Sequence, residues 1–199
     1  MTTSLRYNID ESHGLSHSMN TLYYANQIFR SEVMIHPAIK QQERLIYVSA
    51  VMHDMCDKKY VDQTTQLANI EKFLGESLHS HEIEATKNII STMSYSYVKQ
   101  YGFPDLKELQ QAYHIVREAD LLTAYDFDRS IIYHMNMNRE NTLPTGYRNA
   151  IKLFRERVFL HNEDNLFLTE YAKKQSKILH QQSLERIWFW KTILDMESS

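Results

Sequence analysis

A short apolar segment that ends in two adjacent ionisable residues places the strongest constraint on this chain. Residues 45–51 are mostly apolar and are predicted to form a helix that enters a hydrophobic core. That helix ends at His53 and Asp54. Apolar sequence seldom carries neighbouring ionisable side chains unless a partner or a metal ion compensates for their lost hydration. A divalent cation can do so, because deprotonated His and Asp are both metal ligands. Two ligands are too few, so the segment predicts further ligands elsewhere.

The periodicity of the remaining sequence predicts helices. Apolar residues recur mostly at three- and four-residue spacing, and 4 Gly and 3 Pro are few for the many turns of a sheet protein. We therefore expect an all-α protein. A chain of 199 residues is long enough to bury a core as one domain. That single domain, 1–199, is expected to have a core at about 10–130 and a C-terminal helical extension at about 147–199.

The charge balance and the cysteine content exclude several classes of protein. With 22 Lys and Arg against 25 Asp and Glu, the chain lacks the basic excess of a nucleic-acid or membrane-surface binder. Cys56 is the single cysteine, which rules out an internal disulfide and favours a reducing compartment. No signal peptide or membrane-spanning run is recognisable. The sequence predicts a soluble cytoplasmic protein and leaves its oligomeric state open.

Two more segments carry candidate metal ligands. His13 and His17 are four residues apart and would share one face of a helix. Such a pair can bind a metal ion, and two partly exposed histidines without a metal are the alternative. Asp120 lies between Ala119 and Leu121 on a predicted helix with an apolar face, which is an unusual setting for a solvated acid. Ligands from separate helices can surround one ion.

In chain order, these residues resemble the HD superfamily of metal-dependent phosphohydrolases, whose pattern is His, then His-Asp, then Asp. Residues 12–17, 51–59 and 115–124 carry the resemblance. It implies an all-helical HD-domain bundle with one divalent metal ion: Mn is favoured, and Co, Ni, Fe, Zn and Mg are the alternatives. The implied ligands are His17, His53, Asp54 and Asp120.

The same segments resemble a branch of bacterial nucleotide pyrophosphohydrolases. The implied reaction converts a nucleoside triphosphate to a monophosphate and pyrophosphate. Residues 121–128 depart from that branch, so a 5′-nucleotidase and a guanosine tetraphosphate hydrolase are alternatives. A catalytically silent nucleotide-binding module is a further alternative, although such a module would not need the complete ligand set.

The number of metal ions follows from a comparison with two-metal members of the superfamily. Those relatives place histidines at both ends of the helix after His-Asp. Here His79 and His81 stand at its start, but residues 93–96 at its end contain no histidine. The sequence therefore predicts one ion.

The residues after His-Asp suggest how a phosphate would be cleaved. Asp57 follows Asp54 by three residues, so on a continuing helix it can orient or deprotonate the attacking water; an acid paired with a neighbouring lysine is the alternative. Lys58 can neutralise phosphate charge as a second catalytic residue. The predicted substrate contacts are His13, Lys59, Arg117 and Arg129.

Overall fold

The computed structural model describes residues 15–56, 71, 74–75, 78–138 and 140–197, and every regular element in them is helical. The all-α prediction is confirmed. Four further segments are helical but not α: Pro37–Gln42, His53–Cys56 and Lys107–Leu109 are 3-10 helices, and Phe154–Val158 is a π-helix. The α-helices in chain order are α1 (Leu15–Ile35), α2 (Glu43–Met52), α3 (Ser80–Thr92), α4 (Tyr95–Tyr101), α5 (Gln110–Thr123), α6 (Phe127–Met137), α7 (Leu143–Leu153), α8 (Leu160–Glu163) and α9 (Glu170–Glu197).

Helix α5 is the centre of the fold. It contacts α1, α2 and α9, and most of its residues are buried on every side. Its buried residues include the apolar Tyr113, Ile115 and Leu122 and also the charged Arg117 and Glu118. Most of the buried apolar residues form one main cluster that extends from α1 to α9. A smaller cluster contains Met52, Leu74, Leu78, Ile83 and Ile90. Asp120 is therefore presented from the most firmly enclosed helix.

Helix α1 buries a different face from the one its hydrophobic pattern predicts. The sequence predicts a core stripe of Leu15, Met19, Leu22, Tyr23 and Phe29. Leu15, Met19 and Tyr23 are 68%, 51% and 55% exposed, whereas Phe29 is buried. The buried face instead includes His17, Thr21 and Ala25, with Ile28, Phe29 and Glu32 further along. The stripe prediction is confirmed for Phe29 and wrong for Leu15, Met19 and Tyr23, because the inward face combines small and polar residues with its apolar ones. This rotation directs His17 toward α2 and α5.

Two buried or half-buried acids attach the C-terminal helix. Glu118 is fully buried and accepts hydrogen bonds from the backbone N–H of Leu168 (2.8 Å) and Thr169 (3.1 Å) and from the Thr169 hydroxyl (2.7 Å). These contacts fix the segment that leads into α9. Further along, Asp128 accepts from Arg186 Nε at 2.8 Å and from the indole N–H of Trp190 at 2.6 Å.

The two tryptophans of α9 differ in how deeply they are buried. The sequence predicts that Trp188 and Trp190 both pack the tail on the core. Trp190 is partly buried and packs against the main core cluster, which confirms that prediction for this residue. Trp188 is 68% exposed, so the prediction is wrong for Trp188.

Several helix boundaries differ from the sequence prediction. Residues 93–97 were expected to form a turn, but α4 begins at Tyr95 because Ser94 caps it, accepting from Tyr97 N–H at 3.2 Å. Asp105 accepts from the backbone N–H of Lys107 rather than capping α5 directly. The sequence predicts a loop from Asn138 to Gly146, but helix α7 begins within it, at Leu143, with Thr142 as its N-cap. The helix predicted between about 62 and 73 lies largely outside the described residues.

Candidate metal centre

Three elements bring the predicted ligands together. His17 extends from the first turn of α1, and Asp120 from the last turn of α5. His53 and Asp54 lie in the 3-10 turn that follows α2, where the apolar segment Leu45–Met52 has already entered the core. Because α1 and α2 both pack against α5, all four side chains meet at one end of these helices.

The separations between these side chains suit the coordination sphere of one ion. His17 Nε2 lies 3.1 Å from His53 Nε2 and 3.3 Å from Asp120 Oδ1. His53 Nε2 lies 3.4 Å from the same Asp120 oxygen. Ligands about 2.0–2.2 Å from a transition metal are themselves about 3.0–3.5 Å apart. His17, His53 and Asp120 can therefore hold a metal ion, with all ligand atoms within 4.8 Å of one another.

Asp54 completes a four-residue cluster. Its Oδ2 lies 3.2 Å from His17 Nε2, and its Oδ1 lies 3.2 Å from His53 Nε2. Both histidines are buried, whereas the side chain of Asp120 is 30% exposed. The cluster is thus enclosed on the side of the histidines and accessible from solvent beside Asp120, where water and a ligand can approach an ion.

The electrostatics of the cluster favour a cation. Burial alone would lower the pKa of His53, but the carboxylates of Asp54 and Asp120 outweigh it and raise that pKa to about 9. Burial would raise the pKa of Asp120, but His53 and His17 hold it well below its usual value. Two carboxylates thus stabilise positive charge at the position of His53. A divalent ion would displace the proton, because metal binding requires deprotonated ligands.

The second ring nitrogen of each histidine has a different partner. His53 Nδ1 lies 2.8 Å from the carbonyl oxygen of Ala50. A carbonyl only accepts hydrogen bonds, so Nδ1 carries a proton and Nε2 is left to bind a metal, as is usual for metal-binding histidines. His17 Nδ1 instead lies 2.7 Å from Arg129 Nη1. Burial and the Arg129 charge lower the pKa of His17 more than the nearby carboxylates raise it.

The remaining predicted site residues divide into three groups. Arg129 lies against His17 and therefore borders the cluster. Arg117 is 1% exposed and donates to the Leu166 carbonyl at 2.6 Å beside Glu118. Its described contacts are structural, so the phosphate contact predicted for Arg117 is not part of the site proposed below. His13, Asp57, Lys58 and Lys59 lie outside the described residues.

A cleft that the sequence does not predict lies near the cluster. A cavity of about 380 Å³ opens between α1, the corner joining α5 to α6, and α9. Its walls include Asn20, Tyr24, Thr123 and Gln182. The position of Asn20 near the cluster could have been predicted, because Asn20 follows His17 by three residues and therefore lies on the same side of α1. The position of Gln182 could not have been predicted in this way, because α9 is distant in sequence from every candidate ligand.

Comparisons with known proteins found no relative. No family model matches the chain, and no curated protein or solved structure matches it either. Among the described helices, none combines the length and the apolar character needed to cross a lipid bilayer.

Proposed function

We propose that this protein is a divalent-metal-dependent phosphohydrolase that converts a nucleoside triphosphate to a monophosphate and pyrophosphate. The observation that carries the proposal is the convergence of His17, His53, Asp54 and Asp120: the two histidine Nε2 atoms lie 3.1 Å apart, and each lies 3.2–3.4 Å from an oxygen of both carboxylates. These residues were selected from the sequence by their resemblance to the HD superfamily pattern. Their spatial convergence supports the metal centre, and the resemblance supports the reaction.

The proposed site would hold one ion between two imidazoles and two carboxylates. Nitrogen and oxygen ligands of this kind suit Mn, Fe, Co, Ni or Zn, and the resemblance favours Mn. Such an ion supplies a water of lowered pKa and neutralises charge on a phosphate oxygen. Arg129 stands beside the cluster with a permanent positive charge. A nucleotide would enter from the side of Asp120, because that side chain is 30% exposed.

The predicted roles of the residues after Asp54 complete the proposal. Asp57 would orient the attacking water or accept its proton. Lys58 and Lys59 would neutralise the phosphate chain as point charges. A triphosphate has enough anionic oxygens to engage the metal centre and both lysines at once, which is why we favour it over a monophosphate.

Product analysis with purified protein tests the reaction. The protein would be incubated with Mn²⁺, Co²⁺ or Mg²⁺ and with nucleoside mono-, di- and triphosphates or guanosine tetraphosphate, and the products separated by chromatography. We expect a monophosphate and pyrophosphate from a triphosphate. Orthophosphate released only from monophosphates would indicate a 5′-nucleotidase, and pyrophosphate released from guanosine tetraphosphate would indicate the other hydrolase. No turnover at full metal loading would refute the proposed activity and favour a binding module.

Metal content and a matched pair of variants connect activity to the site. Elemental analysis should give about one equivalent of divalent metal per chain, and two tightly held ions would contradict the mononuclear site. Asp54→Asn should abolish turnover and lower metal content, because it removes a charged ligand. Asp105→Asn changes the charge equally at an exposed acid paired with Lys107. This control should retain both properties.

A further inference from the structure

The cleft near the cluster is connected to two of the proposed metal ligands through Thr123, which forms part of its wall. The Thr123 hydroxyl donates to the carbonyl oxygen of Asp120 at 2.7 Å. The Thr123 carbonyl accepts from Arg129 Nη2 at 3.3 Å, and Arg129 Nη1 lies 2.7 Å from His17 Nδ1. A volume of about 380 Å³ is within the usual range of small-molecule sites. A molecule bound in the cleft would therefore lie beside the cluster.

Three polar side chains in the cleft have hydrogen-bonding capacity that the described part of the protein does not use. Asn20 on α1 and Gln182 on α9 line the cleft, and neither side chain bonds to a described residue. Asp126, the N-cap of α6, accepts a backbone N–H at Oδ1 at 3.0 Å. Its Oδ2 makes no hydrogen bond or ion pair with the described residues. Two carboxamides and one carboxylate are thus available to a ligand, each from a different element.

The charges that line the cleft indicate which part of a nucleotide it can accept. Asp128 is paired with Arg186, whose Nε lies 2.8 Å from Oδ1 and whose Nη2 lies 2.7 Å from Oδ2. Asp126 lacks such a partner among the described residues, so the lining carries a net negative charge. A phosphate chain would be repelled there, whereas an uncharged base would not. The phosphates fit better at the cluster, where Arg129 provides a positive charge.

Two tyrosines on α1 provide apolar surface for a base. Tyr23 and Tyr24 line the cleft, with ring centroids 5.3 Å apart and ring planes at 69°. Tyr23 is 55% exposed, so much of its ring is available for contact with a ligand. Stacking on an aromatic side chain adds affinity for every base, because every base has a flat π face. Selection of one base must therefore come from the polar side chains.

The carboxylate of Asp126 is the group that can distinguish between bases. A carboxamide has a donor and an acceptor, so Asn20 and Gln182 can rotate to match any base edge. An ionised carboxylate only accepts, and both oxygens of Asp126 have a lone pair left for a ligand. The Watson–Crick edge of guanine presents two adjacent N–H donors. Adenine, cytosine and uracil have no such pair, so one of their acceptors would face the carboxylate.

We propose that this cleft binds the base of the nucleotide and selects guanine, with Asp126 as the specificity-determining residue. Asp126 accepts from the two adjacent N–H groups of guanine, and Asn20 and Gln182 bond to the remaining polar atoms of the base. The phosphate chain extends from the cleft past Arg129 to the cluster. The inference rests on the proposed function for the nucleotide substrate, but binding of the base itself does not require the metal ion.

The affinities of guanosine and adenosine 5′-monophosphate (GMP and AMP) test the selection. They would be measured by NMR titration of chelator-treated wild type, Asp126→Asn and Asp105→Asn. Asn is as good an N-cap as Asp, so Asp126→Asn keeps the α6 cap but turns an N–H donor into the cleft. We expect the wild type to bind GMP about ten-fold more tightly than AMP, as one paired contact to a base edge allows. Asp126→Asn should bring the ratio close to one, and Asp105→Asn should keep it.

Three outcomes of this titration would overturn the proposal. They are equal affinities in the wild type, an unchanged ratio in Asp126→Asn, and no binding of either monophosphate.

A second pair of variants tests whether the base lies in the cleft. Gln182→Ala should weaken GMP binding several-fold, because it removes a cleft carboxamide. Gln181→Ala is the matched control, since Gln181 is exposed on the same helix and donates to Glu185 outside the cleft lining. Equal GMP affinities in these two variants would overturn the proposal.

These binding measurements require neither turnover nor metal, so they separate the cleft from the reaction. A protein that prefers GMP but hydrolyses no triphosphate would sustain the cleft proposal and refute the proposed reaction. A protein that cleaves triphosphates but binds GMP and AMP equally would refute the cleft proposal and leave the reaction in place.

Discussion

His161 should make the folded protein sensitive to acid, and its replacement by Phe should remove that sensitivity. The side chain on α8 is fully buried, and neither ring nitrogen has a hydrogen-bond partner among the described residues. The ring packs between Tyr95 and Tyr125, with centroid distances of 5.4 and 5.9 Å. Burial, reinforced by the charge of Arg157, lowers the pKa of His161 from 6.5 to about 3.

The sign and the size of the effect follow from this pKa. Below pH 6.5 His161 becomes protonated in the unfolded chain, whereas in the folded chain it remains neutral until the pH approaches about 3. Stability is therefore lost as the pH falls through this window, by about 1.4 kcal/mol per pH unit. Acidification from pH 7 to pH 5 should cost about 2 kcal/mol through His161 alone. For a domain of this size that corresponds to about 4–8 °C in Tm.

The assay is urea denaturation of wild type and His161→Phe at pH 7 and pH 5, in chelator so that metal binding does not contribute. Phe fills a similar volume and leaves no ring nitrogen without a partner, so the variant should be at least as stable as the wild type at pH 7. Its loss of stability between the two pH values should be about 2 kcal/mol smaller. His36→Phe, at an exposed position, controls for the removal of one histidine. Equal losses in wild type and His161→Phe would refute the reasoning.

Three further predictions concern the metal, the segment that follows Asp54 and the buried acid of α5. Chelation should lower the Tm, because an ion that only the native state binds adds stability by mass action; an unchanged melting curve after confirmed metal loss would contradict this. Asp57→Asn should lower kcat by about 10²-fold or more with metal retained, whereas Lys58→Ala or Lys59→Ala should raise KM with little change in kcat. Similar mild kinetics in all three variants would mean that Asp57 has no role in the chemistry. Glu118→Ala should cost about 3–5 kcal/mol in urea denaturation, because it leaves a charge buried without its partner; a loss below 1 kcal/mol would contradict it.

His53, Asp54 and Asp120 were accessible from sequence as candidate metal ligands because they stand in apolar settings where an uncompensated charge is costly, and the burial of His53 agrees with that argument. His17 was accessible only through the family resemblance. The face of α1 that points into the core could not be predicted from the sequence. A hydrophobic pattern selects Leu15 and Met19 for the core, yet the helix turns its smaller and more polar face inward so that His17 reaches its partners.

The partners of charged residues were the least predictable part of the structure. Arg117 and Glu118 are adjacent and charged, which favours a solvated position, but both are buried. Backbone groups some fifty residues later in the chain provide their hydrogen bonds. Arg129 and His17 are 112 residues apart in sequence, so no local sequence pattern could predict their contact.

The two acids near the end of α5 restrict the insertions and deletions that this helix can tolerate. Glu118 and Asp120 are two residues apart, which on an α-helix separates their directions by about 200°. One acid faces the segment leading into α9 and the other faces the histidines. A single-residue insertion or deletion earlier in the helix would rotate both by about 100°, so the attachment of the C-terminal helix and the metal ligand would be lost together. Length changes in this region are therefore tolerable only outside α5, whereas substitutions can affect one acid without the other.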